Sequence, residues 1–166
     1  MIVTPYDDLI AATARLFQIP ADILHAQVII ESSGHTDAFR FEAGIWDQIQ
    51  AGHLHPSPLI ASPVLHNPRR VASSYGLLQI LYLTAMDEGL GAHTSPEALF
   101  VPEVGLPAGA RHMARLLART GGNVVQALTA YNGGLGALDH LVPAAHVYAM
   151  RVMEQAGRPW PPSAAA

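Results

Sequence analysis

The stretch from Pro20 to Gly34 narrows the possible folds more than any other. Pro20-Ala21-Asp22-Ile23-Leu24-His25-Ala26-Gln27-Val28 reads as an amphipathic helix that continues through Ile29-Ile30-Glu31-Ser32-Ser33-Gly34. Leu24, Val28 and Glu31 fall at i, i+4 and i+7, so they share one helical face. Glu31 is the only carboxylate on that face. It lies where the helix should end, because Gly34 suits a left-handed stop position. Desolvation by apolar neighbours and the negative end of the helix dipole both disfavour its charged form. Both effects raise its pKa, as a general acid working near neutral pH requires. A surface glutamate at a fraying helix end has the same local spacing, so this helix alone leaves both readings open.

The chain has 166 residues, which fits one domain with a sizeable core. Half of it is hydrophobic and 13% is charged, a globular composition rather than a disordered one. The net charge is −4 and the nine basic residues are scattered, so no nucleic-acid footprint is present. There is no cysteine and hence no disulfide framework. Met1-Ile2-Val3-Thr4-Pro5-Tyr6-Asp7-Asp8 lacks the basic and apolar regions of a secretory signal. No apolar run reaches the roughly 18 residues of a membrane span. The expectation is a chain made soluble, reaching any external target by lysis, particle delivery or export.

Helix signals recur throughout. Thr4 can cap a first helix with Pro5 at its first position, and Leu9, Ile10, Leu16 and Phe17 make its core stripe. Residues 35–72 are the least regular part, with Pro56, Pro58, Pro63 and Pro68. A short helix around Ile45, Trp46 and Ile49 is expected there, and a small β-hairpin is admissible. Leu77, Leu78, Leu81 and Ala85 predict a helix within Ser73–Glu88. A longer helix is predicted over Glu103–Thr120, with an irregular first turn at Pro107. Asn123 should cap another, ended by Gly133-Gly134, and a last helix holds Val147, Met150 and Val152. Arg158–Ala166 reads as a Pro/Ala-rich tail following a domain over residues 1–157. The class is mainly α.

Three short segments now stand together. They are Glu31-Ser32; Ser73-Ser74-Tyr75-Gly76-Leu77-Leu78-Gln79-Ile80 followed by Thr84-Ala85; and Ala127-Leu128-Thr129-Ala130-Tyr131-Asn132-Gly133-Gly134. In that order they resemble the catalytic domain of soluble lytic transglycosylases, lysozyme-like enzymes that cut peptidoglycan. That family carries a Glu-Ser pair, a Gly-Leu-Met-Gln-Ile block and an Ala-Tyr-Asn-x-Gly block. Leu99-Phe100-Val101-Pro102-Glu103-Val104-Gly105 looks like its link into the next helix, and Tyr148 and Val152 sit where a closing Tyr and Val are expected. The resemblance spans about Ile19 to Val152. It implies a lysozyme-like helical fold with a long irregular insert at 35–72.

The resemblance also implies a chemistry. Glu31 would be the sole acid/base, protonating the oxygen between N-acetylmuramic acid and N-acetylglucosamine. It would then take the proton from the sugar's own 6-hydroxyl as that oxygen closes on the anomeric carbon. A tethered nucleophile of this kind needs no second carboxylate. Gln79 would meet sugar amides or hydroxyls, or else be a helix-surface residue. Tyr131 would orient the reacting centre, or else be a core tyrosine. Asn132 would bind substrate or simply close its helix. Ser73 and Ser74 lie near the family's small hydroxyl residues, and the insert leaves their register open. The resemblance implies no cofactor and no metal. It makes glycan strands the partner and the periplasm or cell wall the place of action; a monomer is the expected state.

Departures from the family pattern are Leu78 for Met, Tyr82 for Pro, and a longer interval from Glu31 to Gly76. The insert contains Arg40-Phe41-Glu42 and Trp46, and such insertions resemble phage or mobile-element forms of the domain. Trp46 is a candidate to stack on a sugar, with a core tryptophan as the commoner reading. A hydrolase of the goose-type lysozyme kind would need a second carboxylate roughly 6.5–9.5 Å from Glu31. Glu42 and Asp47 are the nearest candidates in sequence. A non-catalytic wall-binding module is a third reading. His53, His55 and His66 cluster in the insert without a metal-binding motif.

Overall fold

The structure is a computed structural model that describes residues 3–160, and it is mainly helical with one small sheet. The described residues form two compact units. One comes from the chain up to Ile30 and from Ala110 onward, and the other from Glu31–Gly109.

The first unit begins with α1 (Asp7–Phe17) and most of α2 (Ala21–Ser32). Thr4 does act at the start of α1, but the helix begins at Asp7 rather than Pro5. The Asp7 carboxylate accepts from the Thr4 N–H and hydroxyl at 3.1 and 2.7 Å, and Thr4 Oγ1 accepts from the Tyr6 N–H at 3.1 Å. The Thr4 hydrogen bond holds the Asp7 carboxyl below its ordinary pKa. α1 buries Ile10, Thr13 and Ala14, whereas Leu16, expected in the stripe, is 73% exposed. Six residues beyond Ile10, it stands about 120° round the helix. α2 corrects the amphipathic reading, since every residue from Ile23 to Ile29 is buried, His25 and Gln27 included. A helix apolar nearly all round is an interior helix. Gln27 Nε2 donates to Tyr148 Oη at 3.2 Å.

α7 (Pro102–Arg119) enters this unit at Ala110 and buries Met113, Leu116 and Leu117. Asn123 caps α8 (Val124–Gly133) as expected, its side chain accepting from the Gln126 N–H at 3.0 Å. α8 packs on α9 (Pro143–Gln155), which buries Ala145, Tyr148, Ala149, Val152 and Met153. Val147, on the same helix, is half exposed. A Cβ on Gly133 would stand 2.8 Å from the Cβ atoms of both Ala137 and Ala145, so only glycine fits there. Arg158, read as the start of a tail, donates to both Asp22 oxygens at 2.5 and 2.9 Å. Trp160 meets the His146 ring edge-on at 5.1 Å. The remainder of the expected tail, residues 161–166, lies outside the described residues.

The second unit holds β1 (Phe39–Phe41), α3 (Ala43–Gln50), α4 (Ser62–Leu65), α5 (Pro68–Val71), β2 (Ser73–Tyr75), β3 (Ile80–Leu81), α6 (Tyr82–Asp87) and a 3-10 turn at Pro96–Phe100. The sheet is antiparallel in the order β1-β2-β3. Phe39 faces Tyr75, Phe41 faces Ser73, and Tyr75 also faces Ile80. The single helix predicted within Ser73–Glu88 is therefore a hairpin followed by α6. Every residue from Val71 to Ile80 is buried, a pattern that fits a buried strand as well as a helix. The 35–72 insert supplies one strand of this sheet and the predicted helix α3. Trp46 is partly buried against a core of Val71, Tyr75, Ile80, Tyr82, Met86 and Leu99. Tyr82 stands at the first position of α6, where proline is favoured, and its hydroxyl donates to the Thr94 carbonyl at 2.8 Å.

Candidate active site

Glu31 lies in the last turn of α2 and is partly buried. The helix stops because Ser33 and Gly34 both take left-handed conformations, with φ of 54° and 80°. Ser32 is buried and secures this end twice, donating to the Leu77 carbonyl at 2.9 Å and accepting from the Gly34 N–H at 3.2 Å. The chain then reaches Ala38, whose carbonyl accepts from the Gly76 N–H at 2.9 Å and from Gln79 Nε2 at 2.8 Å. The end of α2 is thus clipped from both sides to the turn Gly76–Gln79 that joins β2 to β3. Glu31 and Gln79, far apart in sequence, are brought to one corner of the second unit.

That turn is conformationally demanding. Gly76 has φ 70°, and a Cβ there would collide with the backbone carbonyl oxygen of Leu99. A Cβ on Gly105 would collide with the same oxygen. Gln79 adopts φ 44°, a strained value for a residue with a side chain. Its amide nitrogen also donates to the Gly76 carbonyl at 3.1 Å. Both amide protons are therefore spent on backbone carbonyls, and Oε1 is the acceptor that remains. Gln79 therefore stands in a turn and not on the surface of the expected helix.

Ser73 and Ser74 point to opposite faces of β2, as strand geometry requires. Ser73 is fully buried and donates to the Arg69 carbonyl at 2.6 Å, so its hydroxyl serves the core and not a ligand. Ser74 donates to Glu42 Oε1 at 2.9 Å, and the same oxygen accepts from Arg40 Nε at 2.6 Å. Glu42, one of the two candidates for a second carboxylate, is thereby engaged across the sheet, while Asp47 is exposed on α3. Tyr131 and Asn132 stand in the last turns of α8, in the first unit. Tyr131 is partly buried beside the His112 ring at 5.4 Å between centroids, and Asn132 is exposed. His53, His55 and His66 are exposed, with His66 Nδ1 at 2.9 Å from the Ser62 carbonyl.

Away from the turn, Glu97 takes two hydrogen bonds from Arg70 at 2.8 Å each and one from Ser95. Arg70 holds the Glu97 carboxyl down at a pKa of about 2. Burial pushes the Tyr75 hydroxyl up to about 12, and it donates to the Arg70 carbonyl at 2.8 Å. Sequence reasoning missed what β1 contributes. The alternation Phe39-Arg40-Phe41-Glu42 was the available signal, because period two places the rings on one face and the charges on the other.

The family model of the transglycosylase SLT domain matches residues 8–145. No protein of curated function matches the sequence. Among solved structures, the chain is similar to the lytic transglycosylase Slt of Pseudomonas aeruginosa, solved as an inactive Glu-to-Gln variant. The TM-score is 0.65 at 19% identity, over 92% of this chain and 23% of that one. The fold is shared, and the chain spans about a quarter of that protein's length. No helix among the described residues is long and apolar enough to cross a membrane. With most of its length matched by the family model, this chain belongs to the transglycosylase SLT domain family.

Proposed function

We propose that the protein is a peptidoglycan lytic transglycosylase that cleaves the β-1,4 bond between N-acetylmuramic acid and N-acetylglucosamine, with Glu31 as its single acid/base. The carrying observation is the placement of Glu31. It is the carboxylate at the end of a buried helix, and that end is fastened to the strained turn bearing Gln79. The Glu31 carboxylic acid gives its proton to the glycosidic oxygen as the C1–O bond breaks. Positive charge spreads over the ring carbon and oxygen. The muramic 6-hydroxyl oxygen then bonds to C1 and returns its proton to the Glu31 carboxylate. The product ends in 1,6-anhydro-muramic acid, and no water is consumed. Family membership supports the glycan-cleaving class, and the Slt relative is inactive as a Glu-to-Gln variant.

Gln79 offers Oε1 to a sugar N–H or O–H, Tyr131 orients the reacting centre, and Asn132 contacts the glycan. The engagement of Glu42 by Arg40 and Ser74 favours the one-carboxylate mechanism over hydrolysis. Mass spectrometry of digested peptidoglycan tests the reading. Muropeptides lighter by one water than hydrolysed ones are expected. Reducing ends instead would require a second carboxylate and would overturn the mechanism.

A further inference from the structure

Three arginines lie in Glu31–Gly109, and two of them have carboxylate partners. Arg40 pairs with Glu42 and Arg70 with Glu97. The third, Arg69, is exposed and has no carboxylate partner among the described residues. Its guanidinium carbon lies 5.8 Å from the ring centroid of Phe39 and 6.0 Å from that of Phe41, two residues on one face of β1. This cation is held by aromatic rings and keeps its hydrogen-bonding capacity for something else.

The platform beneath it is built. Phe39, 40% exposed, meets Tyr75 edge-on at 5.3 Å between centroids, and Tyr75 meets Phe100 in the same way at 5.2 Å. An aromatic row thus runs from the surface into the core of the unit. The Arg69 carbonyl accepts from Ser73 Oγ at 2.6 Å and from Tyr75 Oη at 3.4 Å, which pins the backbone below the side chain. A planar cation on a fixed backbone is pre-organised for a planar anion.

We propose that Arg69, with Phe39 and Phe41, binds the carboxylates of the peptide stems attached to the glycan, an inference that rests on the peptidoglycan reading above. The glycan backbone of N-acetylated sugars carries no anion once its lactyl groups are joined to stems, so the stem carboxylates are the anionic groups such a strand presents. The guanidinium donates to them as a fork, and the rings give the apolar parts of the stem a surface.

The experiment measures binding of soluble glycan strands to the Glu31→Gln protein by calorimetry. Three probes are used: strands with native stems, strands with amidated stems, and strands stripped of stems whose freed lactyl carboxylates are amidated. Native strands are expected to bind about tenfold tighter than the other two, the size of one charge-assisted contact. Arg69→Ala brings that ratio close to one, and Arg69→Lys, which keeps the charge but loses the fork, retains part of it. Arg151→Ala, an exposed arginine on α9, keeps the full ratio. Equal binding of native and amidated strands to the unsubstituted site overturns the proposal without recourse to any variant. A tenfold ratio that survives Arg69→Ala does so as well. Cleavage by the wild-type protein separates the two levels. Anhydro ends from stripped strands with a flat binding ratio remove only the stem site, whereas no cleavage of any strand removes the peptidoglycan reading and this proposal together.

Discussion

Replacing Gly76 with alanine tests the geometry on which Glu31 depends. Two costs add. The backbone there has φ 70°, where an alanine is about 1–2 kcal/mol less stable than in its ordinary conformations. The new Cβ also collides with the Leu99 carbonyl oxygen, a backbone atom that cannot rotate aside, and lies 3.3 Å from the Leu99 carbonyl carbon. That oxygen also abuts Gly105, so relief requires the Leu99 backbone to move. Overpacking of this kind costs about 1–3 kcal/mol, giving roughly 2–5 kcal/mol in all. Gly52 is the matched control in the same unit, with φ 69° and open space within 4 Å of where a Cβ would stand. Gly52→Ala should therefore show only the conformational cost, about 1–2 kcal/mol. Urea unfolding followed by circular dichroism gives both values. Equal losses for the two variants would mean that the Leu99 carbonyl does not press on Gly76, and the account of the turn would fail.

Other outcomes follow from the same geometry. Glu31→Gln should lower the rate of glycan cleavage at least about 10²-fold, with a nearly unchanged melting temperature. Appreciable turnover in that variant would move the catalytic role elsewhere. Gln79→Glu removes both donors to the Ala38 and Gly76 carbonyls and sets an anion against them, so it should cost about 2–4 kcal/mol in unfolding experiments and lose less in acid. Gly105→Ala, a change that usually stabilises a helix interior by about 0.5–1 kcal/mol, should destabilise this one, and a gain in melting temperature would contradict the Leu99 contact. Glu97 has a folded pKa depressed from 4.5 to about 2, so its contribution is present above the unfolded value and is lost as pH falls through the folded one. Exposure of the pair screens it, and the stability gap between wild type and Glu97→Gln should be about 0.5–1 kcal/mol at neutral pH and vanish near pH 2.

The helices were legible where one residue type has one local job. Asn123 caps because its side chain satisfies a free N–H, and Gly133-Gly134 ends α8 because the next turn needs φ 72° at Gly134. The Glu31 helix was legible in extent but not in surroundings. Its seven consecutive buried residues include His25 and Gln27, whose partners Asp7 and Tyr148 are remote in sequence. The hairpin was hidden for a related reason. Leu77, Leu78, Leu81 and Ala85 have helical spacing, but all ten residues from Val71 to Ile80 are buried, and tertiary enclosure erases the periodicity that distinguishes strand from helix. Ser73 could not be assigned to a face until its register with Phe41 was known.

The positions that define this site hold their places mainly through backbone atoms of other segments. Ser32 answers to the Leu77 carbonyl, Gln79 to those of Ala38 and Gly76, and Gly76 to that of Leu99. A carbonyl is present whatever the side chain, so these contacts constrain the side chains that meet the oxygens more directly than those of the residues that supply them. Tyr82 illustrates the freedom. The position begins α6, proline would serve there through its fixed φ, and tyrosine serves instead by reaching the Thr94 carbonyl. The long interval before Gly76 is accommodated in the same way. β1 meets β2 through backbone pairing, so the helices between them can lengthen without altering the turn. What the turn requires is that Ala38 arrive beside Gly76 and Gln79, and the short path from the stop at Ser33-Gly34 guarantees it. The Glu31 helix end and its turn are therefore coupled over a handful of residues, whatever the length of the segment that follows β1.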